Sequence, residues 1–250
     1  ISRDLRMARA VQRKILPPPG VQPLPGKVRF ATSFTPEMEV GGDYFDLKAL
    51  DADRVAVLMA DVSGHGMAAA FVTGIIKTSF EYSGLTHQGA ARFLGQLNEV
   101  LSRLLPDENF AAVIFAVYDA SRGTLTYSNA GHTPAPFVVR AATGEVQERV
   151  EPVQLLAGVD PATAYEDGAV RLAPGDKMVL CTDGIVDCIS PKGERLGRPR
   201  LEQVLRENAG RTASEMRDAI MDAVTRHTGT AAQYDDQTLV VMEALGERQG

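Results

Sequence analysis

The sequence predicts an α+β protein in which antiparallel sheets are covered by paired helices. Three observations lead there. Strand-like segments come in two runs, each followed by two helical segments, and a last strand closes the chain. Connections in the middle of the chain are too short for crossover helices, so successive strands there are expected to run antiparallel. At 250 residues, 44% hydrophobic and 23% charged, the chain has the length for one large domain or two small ones.

Residues 1–16 place Ile1, Leu5, Ala8, Val11, Gln12 and Ile15 at mostly helical spacing among Arg3, Arg6, Arg9, Arg13 and Lys14. Pro17-Pro18-Pro19-Gly20 then stops the helix. Residues 1–20 therefore read as a helical linker from an upstream sensor domain, with a surface helix packed on its own domain as the alternative. Residues 27–34 and 44–50 alternate apolar and polar side chains, as strands do. Between them Gly41-Gly42 allows close backbone approach, and Asp43 follows at once. The strand over 54–60 delivers Asp61 into the turn Val62-Ser63-Gly64-His65-Gly66.

A helix is expected over 66–82, burying Ala68, Ala69, Phe71, Val72, Ile75, Ile76 and Phe80. A second, near 88–105, turns Phe93, Leu94, Leu97, Val100, Leu101 and Leu104 to one side. Residues 110–118, 123–128, 136–140 and 145–151 read as an antiparallel meander, continued by 169–172 and 177–181. Thr182-Asp183-Gly184 follows the last strand of that run at once. Helices over 201–207 and 213–226 precede a final strand, 237–243, entered through Asp235-Asp236.

A formal net charge of −6 argues against nucleic acid as a main partner. Cys181 and Cys188 match no common zinc or redox spacing and read as reduced residues packed in or near the core. The longest apolar runs, such as 111–117, are too short to span a bilayer, and no signal peptide is recognisable. A cytoplasmic protein without membrane contact is the default expectation.

The acids carry the chemistry. Asp43 begins a strand, Asp61 and Asp183 each end one, and Asp235-Asp236 leads into another. Each alone is most simply a turn residue. Together, in antiparallel neighbours, starts and ends fall on one edge, so the carboxylates can meet. About four unpaired negative charges there would cost several kcal/mol even with strong screening. Two divalent cations would neutralise them, and an all-oxygen set favours Mg²⁺ or Mn²⁺. The four histidines are too scattered for a histidine-rich site.

Five motifs occur in order: Val40-Gly41-Gly42-Asp43-Tyr44-Phe45, Ala60-Asp61-Val62-Ser63-Gly64-His65-Gly66, Ser128-Asn129-Ala130-Gly131-His132-Thr133-Pro134, Cys181-Thr182-Asp183-Gly184 and Asp235-Asp236-Gln237-Thr238. Jointly they resemble the bacterial SpoIIE/RsbU branch of the PPM-type metal-dependent serine/threonine phosphatases. The resemblance implies an α/β/β/α sandwich of two antiparallel sheets flanked by paired helices, with residues 21–250 as the phosphatase domain. It implies two Mn²⁺ or Mg²⁺ ions held by Asp43, Asp61, the Val62 carbonyl, Asp183 and Asp235, with Asp61 bridging and Asp236 close by. Asp61, Asp43 and Asp183 would serve catalysis, in which a metal-bridging hydroxide attacks phosphoserine or phosphothreonine without a phosphoenzyme. The implied substrate is a STAS-type anti-anti-sigma protein of a partner-switching pathway. Residues 8–19 resemble the family's linker helix, which could pair in a homodimer.

Eukaryotic members carry a histidine two residues after the acid, whereas His65 lies four after Asp61, so a general-acid role does not transfer. Backbone N–H groups around Gly64, His65 and Gly66 are the expected phosphate contacts. Asn129 and His132 are expected to hold a turn beneath the site, while Asp46, Glu81 and Asp187 read as surface residues or outer neighbours. The competing readings are a catalytically silent scaffold that binds a regulatory partner, and a relative of the Gly-Gly-Asp/Glu-Glu-Phe cyclases, whose second acid is here replaced by Tyr44.

Overall fold

A strand that is apolar on both faces needs cover on both, and this requirement organises the molecule. The structure, a computed structural model, describes residues 3–64, 66–82, 84, 87–106 and 109–246. In chain order its elements are α1 (Arg3–Ile15), β1 (Val28–Thr35), β2 (Asp43–Ala49), β3 (Arg54–Val62), α2 (Met67–Tyr82), α3 (Ala90–Leu104), β4 (Ala111–Asp119) and β5 (Thr124–Ala130). Then follow β6 (Phe137–Val139), β7 (Val146–Glu148), β8 (Gly168–Arg171), β9 (Lys177–Cys181), α4 (Asp183–Val186), α5 (Gly197–Glu207), α6 (Ala213–Thr228) and β10 (Gln237–Ala244).

Two five-stranded sheets result, ordered β1-β10-β9-β6-β7 and β2-β3-β4-β5-β8. Every strand pairing in them is antiparallel. In β3, Val55, Val57 and Met59 join the core between the sheets, while Ala56, Leu58 and Ala60 join the core beneath α2 and α3. In β10, Val240 and Met242 face the first of these, and Leu239 and Val241 face α4, α5 and α6. The layers are therefore helix, sheet, sheet, helix, as expected. Phe93 of α3 stacks on Phe115 of β4 at 4.3 Å between centroids, and Phe80 of α2 meets both rings edge-on. Burying each such ring contributes roughly 1.5–3 kcal/mol.

Several expectations require correction. The middle strands do not form one meander: β4 and β5 pair in one sheet, β6 and β7 in the other, β8 returns to β5, and β9 lies between β10 and β6. Short connections suffice because the sheets face each other, so the chain crosses between layers rather than along one. Thr182-Asp183-Gly184 opens the one-turn helix α4. On α2, Ala69, Val72, Thr73, Ile76 and Phe80 are buried, whereas Phe71 is 69% exposed. Ala68 is exposed as well. The helix rolls its Ala69-Ile76 stripe onto the sheet and turns Phe71 towards α1, where it lines a groove with Met7, Val11 and Met67. Leu104 of α3 is likewise exposed. Both cysteines are buried and free. Among the described residues, no helix is long and apolar enough to cross a membrane.

Candidate metal centre

Antiparallel pairing sets Asp43, the first residue of β2, directly opposite Asp61 near the end of β3. Strand alternation puts Asp43 in phase with Phe45 and Leu47, and Asp61 in phase with Val57 and Met59, so both continue the face turned to the other sheet. From that other sheet, Thr182 follows β9 in phase with Met178 and Leu180, and Thr238 of β10 is in phase with Val240. The hydroxyls meet the acid. Thr182 Oγ1 donates to Asp43 Oδ2 at 2.7 Å and Thr238 Oγ1 donates to the same oxygen at 2.5 Å. One buried carboxylate thus ties the two sheets together at their common edge.

Asp236 is the second buried acid here. Its carboxylate accepts from the Glu37 N–H at 2.7 Å and from the Asp43 N–H at 3.1 Å. It lies flat against Gly41, where a Cβ would come within 2.0 Å of Asp236 Oδ2. A Cβ on Gly42 would stand 2.7 Å from the Val62 carbonyl oxygen. The two glycines therefore admit a carboxylate on one side and a backbone carbonyl on the other. Asp183 opens α4, half-buried, and Asp235 stands exposed just before Asp236.

The acids feel one another. Burial, then Asp183, Asp235 and Asp236, push Asp61 up to about 7. Burial and then Asp61 hold Asp43 well above the usual carboxylate range, against the pull of the two threonine hydroxyls. Burial followed by Asp235 and Asp187 raises Asp183, and burial with Asp236 and Asp187 raises Asp235. Asp61, Asp235 and Asp236 line an open cleft of about 530 Å³, with Gly42, Gly64 and Tyr234 around them. Among the described residues, no three Asp, Glu, His or Cys side chains are gathered closely enough to hold one ion as they stand. The repulsion that raises these pKa values also opposes closer approach of bare carboxylates. The donors are all oxygen, their shared charge calls for a hard cation, and Gly42 leaves the Val62 carbonyl uncrowded, so the residues fit Mg²⁺ or Mn²⁺.

The structure thus brings Asp43, Asp61, Val62, Asp183, Asp235 and Asp236 to one edge. Gly64 and Gly66 form the turn into α2 with φ of 88° and 73°, and Gly66 O accepts the first helical bond, from the Ala70 N–H. His65 lies outside the described residues. Asn129 and His132 hold a turn as expected: Asn129 Nδ2 donates to His132 O at 3.1 Å and the His132 N–H donates to Asn129 Oδ1 at 2.7 Å. Asp187 is exposed and paired with Arg195. Asp46 is buried rather than superficial, accepting from Tyr44 Oη at 2.5 Å and Lys77 Nζ at 2.8 Å beneath α2. Thr182 and Thr238 were legible only as motif neighbours; their phase with the inter-sheet apolar residues is the signal that marks them.

Known proteins share this fold. The sequence profile described as Stage II sporulation protein E (SpoIIE) matches residues 51–245. The chain is 26% identical to Protein IcfG of Synechocystis sp. over 96% of this chain and 41% of that protein. It is 27% identical to phosphoserine phosphatase RsbU of Bacillus subtilis over 83% of this chain and 60% of RsbU. It thus spans about half the length of these relatives. The solved SiaA-PP2C domain of Pseudomonas aeruginosa superposes with a TM-score of 0.82 at 23% identity, covering 96% of this chain and 95% of that domain. With the profile match covering most of its length and the PP2C sandwich reproduced, the chain belongs to the SpoIIE family of PPM-type phosphatase domains.

Proposed function

We propose that this chain is a metal-dependent phosphoprotein phosphatase that hydrolyses phosphoserine or phosphothreonine on a STAS-type anti-anti-sigma protein of a partner-switching pathway. One observation carries the reading: Asp43, Asp61, Asp183, Asp235 and Asp236 reach a single edge from both sheets, where the first four are held above the usual carboxylate range by burial and by neighbouring acids. The similarity to RsbU, a phosphoserine phosphatase, supports the substrate class. In this reading Asp43, Asp61, the Val62 carbonyl, Asp183 and Asp235 would hold two Mn²⁺ or Mg²⁺ ions, with Asp236 beside them. Such ions supply charge neutralisation at the phosphoryl oxygens and a water acidic enough to act near neutral pH.

The chain's own residues do the rest. Thr182 and Thr238 fix the orientation of the Asp43 carboxylate and favour its charged form. The Glu37 and Asp43 amides fix the orientation of the Asp236 carboxylate. Backbone N–H groups of the turn that includes Gly64 and Gly66, at the start of α2, are suited to receive phosphoryl oxygens. Residues 1–20 act as the linker and residues 21–250 as the catalytic domain of a cytoplasmic protein, with α1 available to pair in a homodimer. A phosphate-release assay on a phosphorylated STAS-domain protein tests this. Release is expected with Mn²⁺ and not without it; release indifferent to Mn²⁺, or none under either condition, would overturn the reading.

A further inference from the structure

We infer that Gln12 is a positioning residue of the acidic centre, clamping the Gly41 peptide and thereby setting the glycine strap against Asp236 and Asp43. The inference rests on the metal-centre reading proposed above.

Gln12 stands apart on α1. It is a polar residue on a helix with exposed Met7 and Val11, yet it is only 4% exposed itself. Its Nε2 donates to Gly41 O at 2.7 Å and its Oε1 accepts from the Gly41 N–H at 3.2 Å. A single side-chain amide thus satisfies both polar groups of one residue. Gly41 lies just before β2, outside the sheet ladder, so Gln12 supplies the bonds that a neighbouring strand would supply elsewhere. The Arg9–Glu39 ion pair clips the same loop, but its side chains are partly exposed and contribute little.

The consequence is positional. Gly41 is the residue against which the Asp236 carboxylate lies, with no room between them for a Cβ. Two residues on, the Asp43 N–H bonds that same carboxylate. Gly42 O accepts from the Val62 N–H at 3.3 Å, tying the strap to the end of β3 beside Asp61. Loosening the Gly41 peptide therefore loosens Asp236, Asp43 and Val62 together, although Gln12 touches none of them.

Gln22 provides an internal control. Its amide makes the same two-way pairing with Phe30, Nε2 donating to the carbonyl at 2.8 Å and Oε1 accepting from the N–H at 2.9 Å. Phe30 faces the inter-sheet core in β1, well back from the acidic edge. The pairing is the same; Gln22 is exposed where Gln12 is buried, and it lies far from the acids.

The experiment is calorimetric titration of the full chain with MnCl₂, without substrate, on the wild type and on Gln12→Met, Gln12→Glu and Gln22→Met. Thermal melts in the absence of metal and Mn²⁺-dependence of phosphate release accompany it. Gln12→Met keeps side-chain volume and helix propensity and removes both bonds, and it is expected to weaken Mn²⁺ binding about tenfold or more. Gln12→Glu keeps the acceptor for the Gly41 N–H and loses the donor, so an intermediate loss is expected. Gln22→Met is expected to lower the melting temperature while leaving Mn²⁺ affinity within roughly twofold of wild type. For Gln12→Met, saturating Mn²⁺ should restore turnover to within roughly threefold, which separates a positioning role from a chemical one.

Unchanged Mn²⁺ affinity in Gln12→Met, or equal weakening in Gln12→Met and Gln22→Met, would overturn the inference alone. Loss of the fold in both Gln12 variants would also overturn it, because the residue would then be holding the domain and not the site. Absence of Mn²⁺ binding by the wild type would overturn the metal-centre reading itself, and this inference with it.

Discussion

Asp43 and Asp61 are direct cross-strand partners at the open end of β2 and β3, with both side chains in phase with the face turned to the second sheet. Two carboxylates in that relationship destabilise a sheet unless something compensates them. Thr182 and Thr238 compensate Asp43 from the opposite sheet, and nothing comparable is seen for Asp61 among the described hydrogen bonds. The expected effects follow from how each neighbouring group meets that pair.

Thr238→Val removes one of the two hydroxyl donors to Asp43 with little change of shape. Burial and Asp61 then raise the Asp43 pKa further, so Mn²⁺ competes with a proton more strongly at low pH. The expected outcome is weaker Mn²⁺ binding, most marked below neutral pH, and a stability loss of about 1 kcal/mol. Calorimetry at two pH values, with chemical denaturation, checks both.

Gly41→Ala would set a methyl 2.0 Å from Asp236 Oδ2, so the carboxylate must leave the Glu37 and Asp43 amides. Mn²⁺ affinity should fall about tenfold or more. Gly74→Ala, in α2 with open space around it, should instead stabilise by about 0.5–1 kcal/mol through helix propensity and leave binding unchanged. Melting curves and Mn²⁺ titrations of the two variants side by side distinguish the two kinds of glycine.

His132 is buried, its Nδ1 facing Pro134 O at 3.2 Å and its Nε2 without a partner, and burial lowers its pKa from an ordinary value near 6.5 to about 4. The unfolded chain therefore takes up the proton first. Stability from this residue is intact above about pH 6.5 and is lost as pH falls towards 4, by roughly 3 kcal/mol in all. Asp61 and Asp43, with raised pKa values, act in the opposite sense over the same range, so the check is the difference in denaturant unfolding between wild type and His132→Gln from pH 7 to pH 4, which should show this slope.

Much of this was readable beforehand, for reasons visible in individual residues. Strands such as β3 are apolar on both faces, a pattern that survives any choice of partner, and the aspartates stand out because they terminate such runs. What stayed hidden depends on contacts between distant segments. Whether Phe137 pairs with Val179 or with a residue of β5 is decided by layer crossing, which no local period encodes. Phe71 fits a helical stripe as well as Val72 does, and only the presence of α1 makes its exposure tolerable. The sequence leaves Asp46 as a surface residue or an outer neighbour because its partner, Lys77, lies on another element. Gln12 sat in the apolar stripe of α1 with no sign in the local sequence that its amide was destined for Gly41.

The central claim is that Asp61 anchors a divalent-metal centre that performs phosphate release. Its most direct test is Mn²⁺-dependent release from a phosphorylated STAS-domain protein by the wild type and by Asp61→Asn, with Asp183→Asn in parallel. Asn keeps the size of the side chain and removes its charge. The expected result is robust release by the wild type and a loss of at least about a thousandfold in either variant, with the fold retained by circular dichroism. Full activity in Asp61→Asn or in Asp183→Asn would contradict the account.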